Sequence, residues 1–315
     1  MKGRNQTTVT EFILSGFSSL PDLPVLFFAL VLLIYLLILL GNALIIIVTL
    51  IDPILHTPMY FFLRNLSFLE ISYTSVTIPG MLVNHLSREK TISVSSCAAQ
   101  IYFLISFGGA ECCLLALMAY DRYVAICIPL AYTVVMNRGI CFQLVATAWL
   151  SSSLVTLLHV VWMFNHPFCP PLEIDHFFCD APPVLQLVCG DTHLIEIEAL
   201  ASATVFVVIP FVIILWSYIR ILTAILEMPS VEGQSKAFST CSSHLTVVVL
   251  FFSTAGLTYF QPKSSSLVGS SKFLSLFYTI LTPLLNPLVY SLRNKEVKRA
   301  LQINFGQRVS SWRQF

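Results

Sequence analysis

The sequence predicts an all-α membrane protein: a bundle of seven transmembrane helices with its N-terminus outside and a short amphipathic eighth helix after the last span. Three observations carry this. Hydrophobic residues make up 57% of the chain and charged residues only 10%, against about 45–50% and 25% in soluble globular proteins. Uncharged windows recur at lengths that cross about 30 Å of hydrocarbon. Lys and Arg fall mostly on one side of the threading that these windows define. With 17 basic and 16 acidic residues no charge excess points to nucleic acid or to an acidic tail, and both are excluded.

The spans follow in order. Residues 1–22 form a polar outer segment, 23–292 the seven-span domain and 293–315 an inner tail. No charge lies between Asp22 and Asp52, so residues 23–51 are span one. Span two, about 58–82, retains Arg64 and Glu70, and span three, about 97–127, retains Glu111, Asp121 and Arg122. Span four runs roughly from Ile140 to Phe164 and ends at the cluster Pro167, Pro170, Pro171. Residues 199–219, between Glu198 and Arg220, are span five; 237–262, between Lys236 and Lys263, span six; 273–292, between Lys272 and Arg293, span seven. Open strands cannot cross lipid, and these windows are too long and evenly apolar for barrel strands.

An odd number of spans puts the termini on opposite sides. With the N-terminus outside, Arg64, Arg122, Arg138, Arg220, Lys236, Arg293, Lys295, Lys298, Arg299, Arg308 and Arg313 face the cytoplasm, eleven of the 17 basic residues, as the positive-inside rule requires. The polar first residues hold no short apolar core with a cleavage site, so span one is expected to act as the signal anchor. Asn5-Gln6-Thr7 is a glycosylation sequon on the segment placed outside. The longest loop, about 165–196, is too short for a soluble domain. No internal repeat is present, which argues against a transporter.

Ionisable groups within hydrocarbon are functional candidates by default, because each costs about 2.5 kcal/mol or more. Glu70 and Glu111 lie mid-span. Facing one cavity, they would share a proton or hold a small cation such as sodium; facing apart, they would be separately hydrogen-bonded. Asp121-Arg122-Tyr123 closes span three, where adjacent opposite charges can exchange partners as a two-state latch does, or where the arginine simply snorkels to water. Asn42, Pro210 and Asn286-Pro287 put polar or helix-breaking points inside spans one, five and seven. Each proline frees the carbonyl four residues back and makes a point about which a helix can move.

Outside the membrane stand Cys97, Cys169, Cys179 and Cys189. Four cysteines in an oxidising compartment allow three pairings, between which spacing does not choose. The other five, Cys112, Cys113, Cys127, Cys141 and Cys241, lie in or below the membrane and read as free thiols. His176 and Asp180 flank Cys179, but one His and one Asp do not close a metal site. Residues 293–299, Arg-Asn-Lys-Glu-Val-Lys-Arg, followed by Ala300, Leu301, Ile303 and Phe305, read as an amphipathic helix on the anionic lipid of the inner leaflet, the alternative being a solvated basic tail.

Five stretches carry a resemblance. They are His56-Thr57-Pro58-Met59-Tyr60-Phe61-Phe62-Leu63, residues 118–127 (Met-Ala-Tyr-Asp-Arg-Tyr-Val-Ala-Ile-Cys), Ser217-Tyr218, residues 236–244 (Lys-Ala-Phe-Ser-Thr-Cys-Ser-Ser-His) and residues 283–294 (Pro-Leu-Leu-Asn-Pro-Leu-Val-Tyr-Ser-Leu-Arg-Asn). In this order, from Gly41-Asn42 to Asn294, the chain resembles the vertebrate odorant receptors, which are rhodopsin-like G-protein-coupled receptors; its long loop is similar to that of the tetrapod-type (class II) branch. The resemblance implies a receptor and not an enzyme. It implies a small volatile odorant in the outer half of the bundle and a stimulatory olfactory G protein on the inner face that raises cAMP. It also implies the plasma membrane of olfactory cilia. By motif position Cys97 should pair with Cys179 and Cys169 with Cys189. Asp121, Arg122, Tyr123, Tyr218, Lys236, Thr240, His244, Asn286, Pro287 and Tyr290 should carry activation and G-protein coupling. Glu70 and Glu111 occupy the family's acidic pair, with Glu replacing the commoner Asp at 70. No cofactor is expected, a structural sodium ion at that pair being the one candidate. Phe252-Ser253 stands where the family usually has Tyr-Gly, and Gln261 replaces a frequent Arg.

Within span three, Leu104, Ile105, Gly108 and Gly109 share a face. The glycines there leave room either for a ligand or for another helix. The family's pocket geometry adds Ser202, Phe206, Ala255, Gly256, Tyr259, Leu276 and Thr279. No Asp or Lys occupies the pocket level of spans three and seven, which favours neutral ligands over amines or a retinal Schiff base. A channel would show a polar pore stripe and an intramembrane enzyme a nucleophile and base at one depth; His159 and His244 lie on different sides.

Overall fold

Caps and prolines mark the helix starts. Ser93 accepts the Ser96 amide at 3.2 Å to open the third helix, and Asn137 accepts the Ile140 amide at 3.0 Å to open the fourth. The first two start at or beside proline, at Pro24 and Pro58. The computed structural model describes residues 9–16, 24–87, 89–259, 268–293 and 295–303; side chains are described except at 24, 235, 236, 239, 240, 243, 254–259, 268–274, 277, 278, 290–293 and 295. Asn5 lies outside the described residues.

Among the described residues seven long helices form the bundle: α1 (Pro24–Ile51), α2 (Pro58–Leu86), α3 (Val94–Cys127), α4 (Arg138–Phe164), α5 (His193–Leu226), α6 (Val231–Tyr259) and α7 (Val268–Arg293). A short α8 (Lys295–Leu301) follows. The first five are each long and apolar enough to cross a membrane; the apolar stretches described in α6 and α7 are His244–Ser253 and Thr279–Val289. On α8, Val297 and Ala300 are buried in the main core, while Lys298 and Arg299 are exposed. Its apolar residues therefore pack on the bundle. Phe305 lies outside the described residues.

Several helices start before the expected spans, α6 at Val231 rather than 237 and α7 at Val268 rather than 273. The start that matters most is that of α5. Span five does not start at residue 199: α5 begins at His193, because Asp191 accepts the His193 amide at 2.9 Å and the Thr192 hydroxyl donates to Glu196 at 3.0 Å. Glu198 is thus inside the helix rather than at its edge. Pro210 then removes one backbone donor, and residues Thr204–Val208 just before it widen into a π-turn.

Helix α3 is the hub, touching α2, α4, α5 and α6. Cys97, Ile101, Leu104, Gly108, Glu111, Leu115, Met118 and Arg122 repeat at three- and four-residue steps and form one stripe along it. Among these, Cys97, Ile101, Leu104, Glu111, Leu115 and Met118 are buried.

Among the described residues strand structure appears only at the disulfide-bearing end, which is the outer end because disulfides persist in oxidising compartments. β1 (Glu11–Leu14) lies between β2 (Thr91–Ser93), antiparallel with Phe12 opposite Ile92, and β3 (Glu173–Ile174), parallel with Leu14 opposite Ile174. Phe12 and Leu14 point inward, and Phe12 meets Phe168 edge to face at 5.1 Å. Past this strand Gly16 runs so close to the long loop that a Cβ would sit 2.5 Å from the His176 carbonyl carbon. The lid is therefore made of the N-terminal segment and two loops together.

The glycines give a test of this packing. Gly16→Ala is expected to lower stability by about 1–3 kcal/mol, because backbone cannot yield to the new methyl. Gly80→Ala, where a Cβ meets nothing within 4 Å, should hold or raise it by about 0.5–1 kcal/mol. Thermal unfolding of the detergent-solubilised protein reads both.

Candidate functional site

Four clusters lie along α3 from the lid inward. At the top, disulfides join Cys97 to Cys179 and Cys169 to Cys189, with Cα separations of 5.4 and 5.5 Å. Gln100 clamps the same corner: its Nε2 donates to the Val76 carbonyl and its Oε1 accepts the Cys179 amide, both at 2.9 Å. Asp180 accepts the Ala181 amide at 2.8 Å and so starts the turn after Cys179.

Below the lid the two glycines of α3 part company. A Cβ on Gly108 would meet nothing within 4 Å, whereas one on Gly109 would collide with the Ser152 hydroxyl and approach Phe206 at 3.6 Å. Gly108 thus faces open space and Gly109 admits α4 and the π-turn of α5. Of the alternatives posed by the glycine pair, close helix packing is what Gly109 serves. Leu104 is buried in the main core, and Ile105 packs against the outer cluster around Val160 and Met163. Ser202 does not present a free hydroxyl: it donates to Glu198 Oε1 at 2.8 Å. The other oxygen of Glu198 pairs with His159 Nδ1. The reading that no Asp or Lys occupies the pocket level concerned spans three and seven, and it did not take in Glu198 on α5. The Asp191 side chain, which accepts the His193 amide just ahead of the helix, was the signal that could have found it. On α7, Leu276 is partly buried and Thr279 fully so. The side chains of Ala255, Gly256 and Tyr259 lie outside the described residues.

The third cluster gathers the mid-membrane polar residues. Pro287 leaves the Pro283 carbonyl without its helical donor, and Asn42 Nδ2 donates to that carbonyl at 3.2 Å. Gly41 lets the two helices approach, since a Cβ there would lie 3.0 Å from the Pro287 ring. Asn286 Nδ2 donates to Glu70, and the Glu70 and Glu111 carboxyl groups interact directly. Asn42, Glu70, Glu111 and Asn286 are all buried. Among the described residues Glu70 Oε2, Glu111 Oε1 and Asn286 Oδ1 have no hydrogen-bond partner. The donor set is all hard oxygen, which suits a small cation better than a soft metal.

The fourth cluster lies at the inner end. Asp121 accepts from the Tyr132 hydroxyl at 2.9 Å. Burial, then the Asp121 carboxylate, raises the Tyr132 pKa above its ordinary value, so this hydroxyl remains a donor. Arg122 Nε makes no hydrogen bond among the described residues. Tyr218 and His244 bridge α5 and α6, their hydroxyl and Nδ1 2.7 Å apart and their rings stacked at 5.8 Å. Tyr123 packs on Trp216 at 4.7 Å. At the unusual position, the Phe252 ring lies against Phe211 of α5 at 5.2 Å, and Ser253 donates back to the Leu250 carbonyl at 3.1 Å. This α5–α6 contact is apolar where a tyrosine would bring a hydroxyl. Lys236 and Thr240 are placed on α6 and Tyr290 on α7, with side chains outside the described residues. Sequence reasoning missed a further inner contact, the Tyr60 hydroxyl donating to Glu296 at 2.6 Å, which ties α2 to α8.

Comparison with known proteins bears on this arrangement directly. The model of the olfactory receptor family matches residues 31–308. The chain is 55% identical to human olfactory receptor 10A3 over 302 residues and to human olfactory receptor 10A4 over 303, each covering 96% of both chains. It is 52% identical to human olfactory receptor 10C1 over 298 residues, 95% of this chain and 96% of that one. A seven-helix bundle with a disulfide-tied lid and polar clusters at mid-membrane and inner end is the build of a multi-pass plasma-membrane receptor, and the chain belongs to the olfactory receptor family.

Proposed function

We propose that a small, mostly neutral volatile odorant binds beneath the lid, beside the open space at Gly108, and shifts the bundle to a state that engages the stimulatory olfactory G protein and raises cAMP. The observation that carries this is the split of the two glycines: one closes α3 against α4 and α5, the other leaves an opening under a tied loop. An apolar level with few polar groups suits such a ligand. Leu104, Ile105, Phe206, Leu276 and Thr279 are its proposed contacts, with Ala255, Gly256 and Tyr259 opposite.

Activation is a population shift toward the state that binds odorant better. Movement of α6 away from α5 must part Tyr218 from His244 or carry both along, and Arg122, with its Nε free of a partner among the described residues, is placed to take up new acceptors. Asn286 and Pro287 give α7 a point to bend. Lys236, Thr240 and Tyr290 are proposed to act at the same inner face. The N-terminus is proposed to lie outside with Asn5 glycosylated, and α8 to rest against anionic lipid.

A sodium ion is proposed between Glu70 and Glu111, with Asn286 Oδ1 as a third oxygen. Bound there, it would neutralise the paired carboxylates; a shared proton is the competing occupant.

Arg122→Ala is expected to abolish odorant-driven cAMP, a loss of tenfold or more in response, while antibody labelling at the cell surface persists. Normal signalling by that variant would remove the latch role. Replacing external sodium by N-methylglucamine should shift odorant potency in the wild type but not in Glu111→Gln. No shift in the wild type would assign the site to a proton, and an equal shift in both would place the sodium effect elsewhere.

A further inference from the structure

His159 and Glu198 form a pair that the activation mechanism does not use. His159 belongs to the buried stripe of α4 that runs through Ser152 and Thr156, and Ser152 on that stripe donates to the Ser106 carbonyl of α3 at 2.8 Å. Glu198, Ser202 and Phe206 succeed one another at four-residue steps on α5, and Phe206 lies beside Gly109. His159 therefore sits on the buried face of α4 that meets α3 at Ser152, and Glu198 packs against it from the outer part of α5, which contacts α4. His159 is seven residues outward of Ser152, roughly 10 Å, which places it about one turn below Cys97 and under the lid.

The chemistry of the pair fixes what it can offer. His159 is 7% exposed. Its Nδ1 is engaged by Glu198 Oε2, the second carboxyl oxygen is held by Ser202, and among the described residues Nε2 makes no hydrogen bond. Two arrangements of the pair carry no net charge: imidazolium with carboxylate, and neutral imidazole with carboxylic acid. In the first both ring nitrogens bear hydrogen. In the second the carboxyl hydrogen points at Nδ1 and the ring hydrogen is on Nε2. Of the two charged arrangements, imidazolium beside carboxylic acid also carries hydrogen on both ring nitrogens, and carboxylate beside a neutral ring leaves a largely buried negative charge without a counter-charge, which burial disfavours. In either neutral arrangement Nε2 is a donor, oriented by Glu198 as Glu198 is by Ser202.

We propose that His159 Nε2–H is the polar anchor of the ligand pocket and that it selects odorants carrying a hydrogen-bond acceptor of the carbonyl type: aldehydes, ketones and esters. This rests on the odorant-pocket reading above and names the ligand class for it. Glu198 and Ser202 are positioning residues that hold the ring.

The test uses the full-length receptor in a cAMP reporter cell with surface labelling. One panel holds medium-chain n-aldehydes, 2-alkanones, acetate esters, carvone and acetophenone, each beside an alkene in which CH2 replaces the carbonyl oxygen. A second holds alcohols, thiols, carboxylic acids and hydrocarbons. The expected result is a response to carbonyl members and none to their alkenes. His159→Phe, which keeps an aromatic ring without a donor, should raise the half-maximal concentration by about tenfold or more, at unchanged surface level. His159→Gln, which keeps an N–H donor, should stay within a few-fold of wild type. Alkenes as potent as carbonyls, a His159→Phe variant that responds like wild type, or responses confined to the second panel would each overturn the anchor while leaving the odorant pocket standing. Silence of the surface-expressed wild type to both panels would overturn the odorant pocket as well.

Discussion

The low dielectric of the membrane is the constraint on which the structure depends. A polar group left there without a partner costs several kcal/mol, so polar side chains that survive must meet one another inside the bundle. Helix α3 makes this happen along a single stripe. Cys97, Gly108, Glu111 and Arg122 stand on that stripe, joined by steps of three and four residues through the side chains between them, and each belongs to a different region: the lid, the open space below it, the mid-membrane acidic pair and the inner end. The spacing keeps the four aligned, and the apolar Ile101, Leu104, Leu115 and Met118 between them are buried.

The prolines of α7 show how one chain defect and its repair fit together. Pro287 releases a carbonyl, Asn42 on α1 takes it, and Gly41 beside Asn42 gives the proline ring room. Residues far apart in the chain thus turn a helix break into an interhelical joint. The same logic acts in α5, where Pro210 is preceded by a π-turn that brings Phe206 against Gly109. A receptor that must change shape gains from joints whose alternative partners lie nearby, and the acidic pair at Glu70 and Glu111 sits next to the first of them.

The spans and the convergent polar residues were legible because hydrocarbon imposes a long, nearly uncharged run, and a departure from it is conspicuous. Glu70, Glu111, Asn42 and Pro287 stood out for that reason. What escaped was local or compensated. The strand Glu11–Leu14 is four residues of a polar segment and forms only because β2 and β3 supply both its edges. Glu198 escaped because a charge was taken as the edge of its span, whereas the helix begins at His193, after Asp191 accepts the His193 amide, and His159 of α4 supplies the carboxyl group with a partner inside. The contrasting roles of Gly108 and Gly109 depend on where Ser152 and Phe206 stand, which the spacing within α3 does not report.

An experimental structure of the receptor in lipid nanodiscs tests the central claim most directly, through the surroundings of Glu70, Glu111 and Asn286. The account predicts the three side chains in one interior cluster, with Gly108 facing a cavity beneath the Cys97–Cys179 disulfide. Either carboxyl group turned toward acyl chains, or α3 rotated so that Gly108 faced lipid, would contradict it.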